Sequence, residues 1–152
     1  MRASRYLLLF VLTFSLTNCD SSSSSENDGA SIGDLVGSWN ATSHVFTNTS
    51  NSSQSVNMIE LGEDLDITVL ANGGVRTWVT LGDVSDEWDA IVSISGNTLT
   101  TTPVEASREV GEYSIHVNGN TFTLTDNSSE FDFTLSDEAP VAAKEVITFE
   151  RK

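Results

Sequence analysis

The chain predicts an all-β fold, an antiparallel up-and-down barrel of eight strands, and three observations carry that prediction. Apolar residues recur at every second position through one run after another. The runs are joined by short turns rich in Gly and Asn, residues that tolerate positive φ. No connection is long enough to be a packed crossover helix, so parallel pairing is excluded. Counting the runs gives eight or nine strands. Because nearly every one meets its sequence neighbour through a tight turn, a meander is favoured over a Greek-key sandwich, and closure removes its exposed edges.

Taken in order, Ile32 to Val36 reads as a short turn of helix entering the first strand. Strict alternation then places Trp39, Ala41, Ser43 and Val45 on one face and Asn40, Thr42 and His44 on the other. The polar stretch Thr47 to Ser55 reads as an exposed loop at a barrel mouth. Val56 to Leu61 fits neither period cleanly and is read as a helical turn crossing one end of the barrel.

Leu65, Ile67, Val69 and Ala71 alternate with polar residues, Asn72-Gly73-Gly74 turns the chain, and Val75, Thr77, Val79 and Leu81 return. After an acidic loop, Gly82 to Glu87, the face Trp88, Ala90, Val92, Ile94 leads to a Gly96-Asn97 turn and the strand Thr98 to Thr102, which Pro103 ends. Tyr113, Ile115 and Val117 form the next strand, Asn118-Gly119-Asn120 the turn, and Phe122 and Leu124 the return. Phe131, Phe133 and Leu135 read as one further strand. The last follows the loop Ser136 to Ala143 and places Ile147, Phe149 and Arg151 on one face.

The N-terminus carries an address. Arg2 and Arg5 precede an apolar run, Leu7 to Phe14, that is shorter than the roughly 20 residues a spanning helix needs. The run ends at Leu16-Thr17-Asn18-Cys19, and Cys19, the only cysteine, excludes a disulfide within the chain. This ending resembles the lipobox of bacterial lipoproteins, in which the signal peptide, here residues 1–18, is removed and the cysteine becomes the lipidated N-terminus. The resemblance implies a cell-envelope protein held to a membrane through Cys19, with inner and outer membrane both open. Residues 19–31, Ser-rich and acidic, read as a flexible tether, and residues 32–152 as one domain of about 120 residues, enough for a single core.

The formal charge is −15, from 22 acidic and 7 basic residues; loss of Arg2 and Arg5 takes it to −17. Such a surface repels phosphate, which excludes a nucleic-acid role.

Gly37-Ser38-Trp39 at the head of the first strand resembles the G-x-W signature of lipocalins, and the hairpin order resembles the lipocalin-like domains of bacterial lipoproteins. That resemblance implies a barrel floor built from Gly37, Trp39 and Arg151, with the Arg packed across the indole. It also implies a small hydrophobic ligand inside the barrel. The inward phase supplies Ile67, Val69, Val79, Val92, Ile94, Tyr113, Ile115, Phe122, Phe131 and Phe133 as ligand-binding candidates, with Leu124, Ile147 and Phe149 beside them. The same residues would equally fill a solid barrel that serves as a structural or protein-binding envelope module, using loops such as Thr47 to Ser55.

Catalysis has little to stand on. The two histidines, His44 and His116, lie on the polar phase of their strands and read as surface residues, and no serine sits in a G-x-S-x-G setting. Asp83, Asp86, Glu87 and Asp89 lack the spacing of a calcium loop and read as a solvated acidic loop. Glu105, Glu109 and Glu112 around Arg108 show no sign of a two-carboxylate cleft. A monomer with no enzymatic activity, cofactor or metal is expected.

The acid-rich balance, with Lys144 and Lys152 the only lysines, suits a protein kept soluble in high salt, where screening relieves self-repulsion. Its melting temperature is therefore expected to rise between low and molar salt; calorimetry showing no gain would refute that reading.

Overall fold

The structure, a computed structural model, describes residues 29–135 and 139–152. Cys19, the signal segment and the tether as far as residue 28 lie outside the described residues. Helix α1 (Ile32–Leu35) opens the described fold. The amide and hydroxyl of Ser31 both donate to the Asp34 carboxylate, closing its first turn, and Ala30 already packs against the core.

Nine strands follow among the described residues: β1 (Gly37–Asn48), β2 (Ser55–Asn57), β3 (Glu63–Val69), β4 (Gly74–Leu81), β5 (Val84–Ser95), β6 (Thr98–Pro103), β7 (Gly111–Asn118), β8 (Thr121–Phe131) and β9 (Val141–Arg151). All pairings are antiparallel. From β3 to β9 each strand pairs with the next, β1 pairs with β3, and β9 returns to β1. Eight strands thus close into a barrel, and β2 is an extra ribbon on the far half of β1.

Four expectations are corrected. The Val56 to Leu61 segment does not cross a barrel end as a helix: Ser55–Asn57 pairs with Val45–Thr47 of β1, and a turn from Met58 leads to β3. The expected acidic loop Gly82 to Glu87 is only a two-residue turn at Gly82-Asp83, since Leu81 pairs with Val84. Ser85, Asp86 and Glu87 are strand residues, and their exposure hid the alternation. Phe131 belongs to the same strand as Phe122, because β8 runs through Asn127 and Ser128 on a bulge instead of breaking there; Phe133 and Leu135 lie past its end.

The fourth correction is in β1. Ala41 pairs with Phe149 and Ser43 with Thr148, so Thr42 is an extra, unpaired residue. One inserted residue exchanges the two faces from there on, turning His44 and Phe46 inward instead of Ser43 and Val45.

The core sits at one end, the floor. Trp39 and Phe122 meet edge to face with ring centroids 4.8 Å apart, Phe122 stacks on Phe149 at 4.8 Å, and the Trp39 indole donates to the Leu35 carbonyl at 2.7 Å. Arg151, paired with Trp39 across the β1–β9 seam, lays its guanidinium 4.1 Å from the indole centroid. It donates to the carbonyls of Val36 (2.6 Å) and Asp34 (2.9 Å). Gly37 has φ +136, and a Cβ there would stand 2.6 Å from the Arg151 guanidinium, so this position requires glycine.

Arg151→Ala removes two charge-assisted hydrogen bonds and the cation–π contact, and is expected to cost about 2–4 kcal/mol in denaturant unfolding. Arg151→Lys, which cannot reach both carbonyls while covering the indole, is expected to recover less than half of that.

Candidate functional site

The barrel encloses a cavity of about 390 Å³. Leu35 and Val69 bound it at the floor, Val75, Ala90 and Leu99 line one wall, and Ile147 faces them. Its other end is walled by Arg108 and Glu109 of the β6–β7 connection; Glu109 is exposed, so this rim is where the interior meets solvent. A few polar groups stand in an otherwise apolar surface: Thr77, Thr101, Tyr113 and the Arg108 guanidinium. This is the composition of a small-molecule site.

Of the ten residues read from the inward phase, Ile67, Val69, Val92, Tyr113 and Phe122 line the cavity. Val79, Ile94 and Ile115 face the core without reaching its wall. Phe131 and Phe133 lie elsewhere, in an aromatic cluster where Phe46 stacks on Phe131 at 4.2 Å and Phe133 meets Phe131 edge-on at 5.1 Å. Leu99 was masked by its threonine neighbours, although alternation from Thr98 was the available signal. Arg108 sits in a connection without periodicity, and no sequence signal could have placed it at the cavity.

Beside the apolar chamber lies a buried charged layer. His44, expected at the surface, is only 8% exposed and sits between two carboxylates: Nδ1 is 2.5 Å from Glu63 Oε2 and Nε2 is 2.8 Å from Glu145 Oε1. Glu63 and Glu145 each precede a buried apolar residue of the same phase, Leu65 and Ile147, so the triad forms the layer above them. Burial alone pushes the His44 pKa down; the hydrogen bonds to Glu145 and Glu63, together with their charges, outweigh it and hold the pKa at about 9. At neutral pH the ring is an imidazolium donating from both nitrogens. With each nitrogen turned to a different carboxylate, the three side chains do not converge on one ion, and no group suited to a metal occurs among the described residues. Burial pushes the Tyr113 hydroxyl up to about 12, with the charges of Glu145 and Asp126 adding to the shift.

His116 is exposed. The acidic residues of β5 are drawn to arginines: Asp89 accepts from Arg76 Nε at 2.9 Å and Asp86 from Arg108 Nη2 at 2.5 Å. The fold and cavity therefore define a class, a closed antiparallel eight-stranded barrel with a hollow, largely apolar interior. No protein-family model matches the chain, and no curated protein matches it in sequence.

Because the His44 pKa is raised, its contribution to stability is complete below about pH 6.5 and is lost as pH rises through about 9. The shift corresponds to about 3 kcal/mol. His44→Gln is expected to be destabilised relative to the wild type by at least that much at pH 6, and the gap is expected to narrow by about 3 kcal/mol at pH 10. Urea unfolding of both proteins at the two pH values measures it; a gap independent of pH would mean that His44 is not charged in the folded state.

Proposed function

We propose that this is a lipocalin-like lipoprotein, anchored in the cell envelope through Cys19, that binds a small hydrophobic molecule inside its barrel and has no catalytic role. The observation that carries the reading is the 390 Å³ cavity, apolar along most of its wall and closed at the floor by Leu35 and the Trp39 assembly. What sets this space apart is its lining by inward residues of β3 to β9, which a barrel packed solid would bring into mutual contact. The G-x-W start of β1 and the terminal Arg151 over Trp39 support the lipocalin-like assignment, and the Leu16-Thr17-Asn18-Cys19 ending of the apolar N-terminal run supports the anchor. No helix among the described residues is long and apolar enough to cross a membrane.

Titration of the purified protein with the neutral fluorophore N-phenyl-naphthylamine is expected to give saturable enhancement with one site and a raised melting temperature. Ala90→Phe and Val92→Phe, which place bulk in the cavity wall, are expected to weaken binding at least tenfold. Absence of saturable binding by the wild type would leave the solid envelope module as the better reading.

A further inference from the structure

We propose that the barrel takes a cationic amphiphile, its apolar body in the cavity and its ammonium head in an acidic cleft where β7 and β8 part. This rests on the reading of the cavity as a binding site and names the chemistry of its ligand.

The first observation is a gap in the barrel wall. The β7–β8 ladder extends from the Asn118–Thr121 pair only as far as Ser114 and Thr125. Beyond that point Gly111 to Tyr113 pair with β6 alone, and β8 from Asp126 onward pairs with β9 alone. The two strands therefore stand apart without backbone hydrogen bonds between them. The cleft in this gap shares Glu109 and Gly111 with the cavity wall, and Tyr113 lines both the cavity and the gap. One molecule can thus lie with an end in each.

The second observation is the charge of the cleft. Glu109, Glu112, Asp126 and Glu130 line it, no basic residue does, and none of the four has an ion-pair partner among the described residues. Arg108, the basic residue of the cavity wall, is already paired with Asp86 and Glu105. The Asp126 carboxylate uses Oδ1 to accept from the Ser128 amide and hydroxyl, which leaves Oδ2 for a ligand. At the junction the Tyr113 phenol is un-ionised and able to accept from an ammonium. An anionic head would add to four like charges, and a neutral head would leave them uncompensated. Glu109, Glu112 and Glu130 are exposed, so water screens part of the attraction and a modest preference is expected.

The third observation lies in the cavity behind the cleft. Thr77 is only 7% exposed and lines the cavity, and its hydroxyl has no hydrogen-bond partner among the described residues. An interior hydroxyl without a partner is unfavourable in an empty chamber, and a polar atom brought in with the ligand relieves it.

The test is displacement of N-phenyl-naphthylamine from the wild-type protein at neutral pH by three probes of matched chain: nonylamine, nonan-1-ol and nonanoate. Nonylamine is expected to bind about tenfold more tightly than nonanol, and nonanoate more weakly than either. Glu112→Gln/Asp126→Asn is expected to bring nonylamine to within about twofold of nonanol while leaving nonanol affinity within about twofold of the wild type. Asp83→Asn/Glu150→Gln, which removes two exposed carboxylates outside the cleft, is expected to keep the advantage of the amine. Nonylamine binding no tighter than nonanol overturns the proposal, as does an advantage that survives loss of Glu112 and Asp126. An equal fall in the Asp83/Glu150 variant also overturns it, because net charge and not the cleft would then be the cause. If nonanol displaces the fluorophore and the amine does no better, only the head-group selectivity fails; if nothing binds, the binding function fails with it. Glu112→Gln alone, at an exposed position, gives the same reading if the double variant does not fold.

Discussion

The barrel depends on the seam between its first and last strands, a nine-pair ladder whose floor end is locked by the Arg151 side chain. Arg151 reaches from the end of β9 across the Trp39 ring and donates to two carbonyls at the end of α1, so a single guanidinium ties helix, first strand and last strand together. Two further features follow from its position. Gly37 must lack a side chain, because a Cβ would occupy the space of the guanidinium. The Trp39 indole, fixed on one face by the cation, donates to Leu35 and presents its edge to Phe122, which is stacked on Phe149. The floor is therefore a close-packed aromatic assembly, and it closes one end of the space above it.

Much of this architecture was legible because its turns are local. Gly96-Asn97 and Gly119-Asn120 sit as two-residue connections between paired strands, each glycine with positive φ, and the alternation on either side fixes register without reference to the rest of the chain. Trp39 and Arg151 were brought together only by the resemblance of Gly37-Ser38-Trp39 to the lipocalin signature, although 111 positions separate them. What could not be read were events at which one residue changes the phase. Thr42 is chemically an ordinary strand residue, and nothing local marks it as the one left unpaired; its insertion moved His44 from the expected surface into the interior. The bulge in β8 at Asn127 and Ser128 had the opposite effect on the reading, making one long strand look like two. The site was half legible for the same reason. Residues on regular strands were placed by period, whereas Arg108, in an irregular connection, could be positioned only by its partners Trp88 and Asp86.

The buried charge at His44 makes sense once the sheet around it is considered. β1 pairs with β3 only from Gly37 to Asn40 and with β2 only from Val45 to Thr47. Between those ladders the wall on the β3 side has few backbone hydrogen bonds, among them the Met58 amide to the His44 carbonyl. The imidazolium bridges this stretch with side-chain bonds, joining β1 to β3 through Glu63 and to β9 through Glu145. Desolvating three charges is costly, and removing one partner would leave an uncompensated buried charge. The arrangement thus favours the register in which the bulge turns His44 inward and penalises the slipped one in which it would face water while two glutamates remained buried.

Whether such a barrel is hollow is decided by side-chain volume on its walls, and the volume is distributed unevenly. The β1, β8 and β9 side carries Trp39, Phe122 and Phe149, which fill their share of the interior from the floor. The opposite wall carries Thr77, Ala90, Thr101 and Gly111, all small, at positions where Leu or Phe would close the space. Gly111 cannot readily be filled, since a Cβ there would lie 2.8 Å from both the Thr101 hydroxyl and the Tyr113 ring. The empty volume is consequently not a packing defect spread through the core. It lies between this small-residue wall and the Ile147 side, above a close-packed aromatic floor, and it reaches the rim where Arg108 is held. The residues that line it are set by the continuous ladders of β3 to β9, so the space is formed by the fold itself.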